Sequence, residues 1–196
     1  MNDYDIVITW QNTMKHTRAY DCAYCGKHVA PREAYNGVAS NGSILESIQI
    51  CNYCNKPTYF DSDDKQMPAP RFGESVENLP ENIKLLYNEA RDCMSVIAYT
   101  AAVLVCRKLL MHIAVEKGAK EGASFKEYVG YLSDNHFVPP DSKAWVGHIR
   151  DKGNEANHEI VLMKREEAEQ LIEFISMLMK IIYDLPNRFK AQLPSP

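Results

Sequence analysis

The 196-residue sequence has no apolar run near the roughly 20 residues that a membrane-spanning helix needs. Its opening, MNDYDIVITW, carries acidic residues where a secretory signal carries basic ones, so the expected compartment is the cytoplasm, with no membrane partner. Glycine-rich phosphate loops are also missing, which leaves a small-nucleotide sensor without its usual cradle. Basic charge is in short supply: the net charge is -4, with 7 basic and 10 acidic residues up to residue 80 and 15 and 16 after it. Sequence-independent binding to nucleic acid draws most of its affinity from lysine and arginine on phosphates, so coating of a duplex is disfavoured and any such contact must be local. Internal repeats and low-complexity tracts are not evident. The composition, 45% hydrophobic and 24% charged, is that of a folded globular chain, and its length allows one ordinary core plus a small satellite module.

The first 60 residues read as short strands. Tyr4 to Trp10 alternates in polarity, and Ser43 to Ile50 follows an Asn41-Gly42 pair suited to closing a hairpin. Residues 61–79 are rich in acidic, proline and turn residues and read as a linker. From Pro80 the period becomes helical, and the bundle is expected over 80–186, with a flexible tail at 187–196. Ile83, Leu86, Ala90, Met94 and Ile97 form one stripe, and residues 98–115 are apolar nearly all round, as suits a central helix, with a break near Ile97 and an end at Gly118. Ser124 and Glu127 form a capping-box pattern for a third helix. Pro139-Pro140 precedes a fourth, capped by Asp141 or Ser142 and running to about Glu159, and a last helix extends to Leu185-Pro186. The fold class expected is α+β: a small β-rich zinc ribbon followed by a bundle of four to five helices.

Two Cys-x-x-Cys knuckles, Cys22/Cys25 and Cys51/Cys54, supply four thiolates from two turns, the donor set and spacing of a structural zinc ribbon. In a reducing compartment, such pairs point to metal rather than to a disulfide framework. Four sulfurs leave no open coordination position, so the single zinc ion is expected to stabilise and not to catalyse. His28 is close in sequence but reads as a surface residue beside four thiolates, and Cys93 and Cys106 read as core.

Arg150, Asn154 and His158 recur four residues apart and share one helix face. A histidine can exchange a proton near neutral pH, an arginine can hold a phosphate and an asparagine can orient either, the parts that a metal-independent ribonuclease needs. The same residues would equally serve as braces between helices, His158 on a carbonyl and Arg150 on Asp151 or Glu155.

The stretches LPENIKLLYNEARDC, AAVLVCRKLL and IRDKGNEANHE resemble a bacterial domain-of-unknown-function family often found beside restriction and phage-defence components, frequently with an N-terminal zinc ribbon. That family is similar to the HEPN superfamily, many of whose members are ribonucleases that dimerise to bring two Arg-Asn-x-x-x-His motifs together. The resemblance implies a HEPN-like bundle, a homodimer, RNA or another nucleic acid as ligand, a partner protein in defence, and catalytic roles for Arg150, Asn154 and His158. If Asn154 and His158 align with that motif, Gly153 occupies the arginine position. Arg150 would then stand in from one turn earlier, about 4.5 Å along the helix axis. A non-catalytic adaptor, docking a partner through ribbon and bundle surfaces, is the competing expectation.

Overall fold

The computed structural model describes residues 7, 9–13, 17–139, 147 and 162–192. The chain is α+β and divides into two compact units, Met1–Arg71 and Phe72–Pro196.

In the first unit, β1 (Thr9–Thr13), β4 (Glu33–Val38), β5 (Ile44–Ile50), β6 (Pro57–Phe60) and β7 (Gln66–Met67) pair antiparallel in the order β1-β4-β5-β6-β7. A separate pair, β2 (Tyr20–Asp21) and β3 (His28–Val29), carries the first cysteine knuckle between its strands. The β4–β5 hairpin turns at Asn41-Gly42 as its sequence suggests: the Asn41 carboxamide oxygen accepts from the Ser43 N–H at 2.9 Å, and the Ala39 N–H donates to the Ser43 carbonyl at 2.9 Å. The strand expected over Tyr4–Trp10 lies mostly outside the described residues, and β7 lies within the stretch read as linker.

Register aligns Asn36 with Ser47, and Ala34 with Gln49 and Thr58, on one face. Asn36, Ser47, Gln49 and Thr58 are all buried, with Gln49 donating to the Ser47 hydroxyl at 3.2 Å. A buried face this polar gains little hydrophobic free energy, because each group must first give up water. Among the described residues, the apolar remainder of this unit is Ala34, Ala39 and one small cluster of Tyr20, Cys22, Val29, Cys51 and Phe60.

The second unit holds α1 (Glu81–Ser95), α2 (Tyr99–Glu116), α3 (Phe125–Asp134) and α4 (Arg165–Met179), then a π-helical turn (Lys180–Asp184) leading into α5 (Leu185–Gln192). The nearly all-round apolarity of α2 matches its place: it packs against α1, α3 and α4, and Leu109, Leu110 and Ile113 have no exposed surface. Ile97 breaks α1 from α2 at φ +67°, and the Ala98 N–H returns to the Cys93 carbonyl at 2.8 Å. Helical backbone continues past Leu185-Pro186, contrary to the stop that the proline suggests. A proline ring clashes with the carbonyl four residues back, and the wider π turn immediately before it opens that spacing. The fourth expected helix lies almost wholly outside the described residues. Among the described residues, no helix is long and apolar enough to cross a membrane.

The capping box of α3 is complete: the Glu127 N–H donates to the Ser124 hydroxyl at 3.3 Å, and the Ser124 N–H to the Glu127 carboxylate at 2.7 Å. Ser124→Ala should therefore cost the helical unit about 1 kcal/mol. That loss is measurable as a lower urea midpoint at 222 nm, and an unchanged midpoint would show the cap to be idle.

Candidate metal centre

The two knuckles are built alike. In the first, the Gly26 N–H donates to the Cys22 carbonyl at 2.8 Å and the Cys22 N–H to the Lys27 carbonyl at 3.0 Å. In the second, the Asn55 N–H donates to the Cys51 carbonyl at 2.9 Å and the Cys51 N–H to the Lys56 carbonyl at 3.0 Å. Each turn needs a left-handed residue directly after its second cysteine, supplied by Gly26 at φ +66° and by Asn55 at φ +57°. Glycine and asparagine are the residues that adopt this conformation at least cost.

These turns bring the sulfurs of Cys22, Cys25, Cys51 and Cys54 within 4.8 Å of one another. Cys22 Sγ lies 3.7 Å from Cys54 Sγ, and Cys25 Sγ lies 3.8 Å from Cys51 Sγ. Four sulfurs at tetrahedral corners, about 2.3 Å from a central metal, stand about 3.8 Å apart, so the cluster fits a tetrahedral ion such as zinc. Burial pushes the Cys22 thiol up to about 12, against the N–H groups of Cys25 and Tyr24. The Cys51 thiol is also raised by burial, but the N–H groups of Cys54 and Tyr53 with the neighbouring thiols bring it down to about 7. Backbone N–H groups aimed at sulfur favour thiolate, the form that binds metal. His28 stands outside the cluster, its Nδ1 2.8 Å from Asp21 Oδ1. Cys106 is fully buried and Cys93 partly so, both in the helical core.

Arg150, Asn154 and His158 lie outside the described residues. Sequence reasoning did not single out an open groove of about 650 Å³ in the helical unit, lined by Phe72, Gly73, Met177, Ile181 and Leu185 among others. Lys180 and Glu74, paired with each other, also line it. Its residues come from a loop and from the last helical turns, and no short sequence pattern joins them.

No curated protein and no solved structure matches the chain. A family model described as a domain of unknown function, DUF4145, matches residues 88–195, from within α1 to the end of the helical unit, leaving the cysteine knuckles outside the match. Because that match takes in more than half of the sequence, the chain belongs to the DUF4145 family.

Proposed function

We propose that the chain holds one structural zinc ion in its ribbon and binds or cleaves RNA through a HEPN-like helical domain, as a cytoplasmic homodimer in phage defence. The four-thiol cluster supports the metal part of this reading. With sulfur at every tetrahedral corner the metal has no position for a substrate or an activated water, so any chemistry falls to side chains elsewhere. The spacing of Arg150, Asn154 and His158 is what supports RNA: His158 as general acid or base, Arg150 holding phosphate charge, Asn154 orienting both.

The test uses zinc-loaded full-length protein and labelled RNA. H158A should slow cleavage by about 10²- to 10⁴-fold, the usual worth of a positioned proton donor, and R150A should weaken RNA binding. An H158A variant that cleaves and binds RNA as the wild type does would remove the catalytic reading.

The groove beside Phe72 and Met177 favours a second reading, a non-catalytic adaptor for a defence partner protein. In that case Arg150 and His158 are dispensable and disruption of the ribbon abolishes partner binding.

A further inference from the structure

The two knuckles repeat in sequence as well as in geometry: Cys22-Ala23-Tyr24-Cys25-Gly26-Lys27 and Cys51-Asn52-Tyr53-Cys54-Asn55-Lys56. Each places a tyrosine directly before its second cysteine. The rings are not part of the core, since Tyr24 is 52% and Tyr53 69% exposed. Among the described residues of this unit they are the most exposed of the large apolar side chains, ahead of Trp10, Tyr35 and Ile44. The backbone under each ring is held by its turn, so ordering the ring on a ligand loses little entropy.

Side chains of the two knuckles also meet. Lys27 Nζ lies 5.3 Å from the centre of the Tyr53 ring, and the Asn52 amide donates to the Ala30 carbonyl at 3.4 Å. Residues 22–32 and 51–57 contain Lys27, Arg32 and Lys56 and no carboxylate, although the whole chain carries -4. A divalent metal on four thiolates contributes about -2 at this tip and Asp21, beside His28, a further -1, so the three exposed cations bring it to about neutral where the chain as a whole is acidic.

We propose that the knuckle tip binds single-stranded nucleic acid, with Tyr24 and Tyr53 stacking on bases and Lys27, Arg32 and Lys56 meeting the backbone phosphates. This rests on the nucleic-acid reading above and locates a site for it on the ribbon. Stacking on aromatic rings is open to every base, and three phosphate contacts suffice for a short strand but not for a duplex coat. An acidic peptide would use the cations and leave both rings without a stacking partner, which makes it the weaker fit.

The experiment uses zinc-loaded full-length protein and fluorescein-labelled twelve-nucleotide oligouridine, as ribo and deoxy strands, read by anisotropy. Y24A and Y53A should each weaken binding about tenfold and the double variant about a hundredfold, from the usual worth of one stacked base. The Y24F/Y53F variant should bind like the wild type, and all variants should keep one zinc per chain. The salt dependence should be shallow, with a log–log slope no steeper than about -2 for three contacts on a single strand. Photocrosslinks from 4-thiouridine should fall on residues 22–32 and 51–57.

A Y24A/Y53A variant that retains zinc and full affinity overturns the site. If RNA crosslinks then map to the helical unit, the preceding reading stands without it. If the wild type binds neither strand, both fall. Binding of polyglutamate but of neither strand overturns the proposal in favour of an acidic protein partner.

Discussion

Removing the metal should unfold the N-terminal unit and leave the helical unit folded. Among the described residues, the first unit's apolar cluster contains five buried residues, of which Cys22 and Cys51 are themselves ligand candidates, and its sheet buries Asn36, Ser47, Gln49 and Thr58. Modules this small seldom reach more than a few kcal/mol from packing alone. A four-cysteine zinc site contributes about 10–16 kcal/mol to folding near neutral pH, so its loss exceeds what the packing can hold. Chelation, or Cys51→Ser at a side chain with no exposed surface, should abolish amide protection in β4 (Glu33–Val38) and β5 (Ile44–Ile50). Protection in α2 and α4 should persist, because their core of Leu109, Ile113, Phe174 and Leu178 contains no ligand. Hydrogen exchange with parallel metal analysis decides it. Metal-free protein whose β4 and β5 amides stay protected would show the ribbon to be self-sufficient. Cys93→Ser and Cys106→Ser should leave the metal content unchanged.

The legible parts of the molecule were those whose physics is local. Two Cys-x-x-Cys pairs declare their donors by spacing, the Asn41-Gly42 turn declares its hairpin, and Ser124 with Glu127 declares a helix start. The inside of the sheet was not legible, because a period of two defines two faces without saying which one is covered. Along β5 the face carrying Ile44, Ile48 and Ile50 looks like the inner one, yet Ser47 and Gln49 are the buried residues. Arg107 escaped notice for a related reason. Within a helix an Arg-Lys pair reads as surface, but Arg107 is buried with its guanidinium 4.2 Å over the centre of the Phe125 ring, and burial lowers its pKa. Tyr24 and Tyr53 passed unremarked between the cysteines, because spacing marks the metal donors and says nothing of which neighbouring rings stay exposed.

Gly73→Ala should destabilise the helical unit by roughly 3–5 kcal/mol, a large fraction of what a unit of this size possesses. Two costs combine there. Gly73 has φ +80°, a region that an L side chain occupies at a cost of about 1–3 kcal/mol. An added methyl group would also stand 2.6 Å from Ile172 Cγ2 and 3.1 Å from the Tyr87 hydroxyl, and forcing such a contact into a packed core costs about 1–3 kcal/mol. Relief by movement of the loop is blocked. Arg91 donates to the carbonyls of Phe72 at 2.9 Å and Gly73 at 2.8 Å, and the Tyr87 hydroxyl donates to the Glu74 carbonyl at 2.9 Å. Ile172→Ala opens a cavity at a fully buried side chain and is destabilising by itself, but it should cost less in the G73A background than in the wild type, the difference being the relieved clash, a coupling within the range of about 0.5–3 kcal/mol for residues in contact. Gly130→Ala is the opposing control: it lies inside α3, a methyl group there meets nothing within 4 Å, and the gain should be about 0.5–1 kcal/mol. Urea midpoints followed at 222 nm separate the two signs, and a G73A midpoint equal to that of the wild type would mean that the Phe72–Glu74 strap yields more easily than its three hydrogen bonds imply.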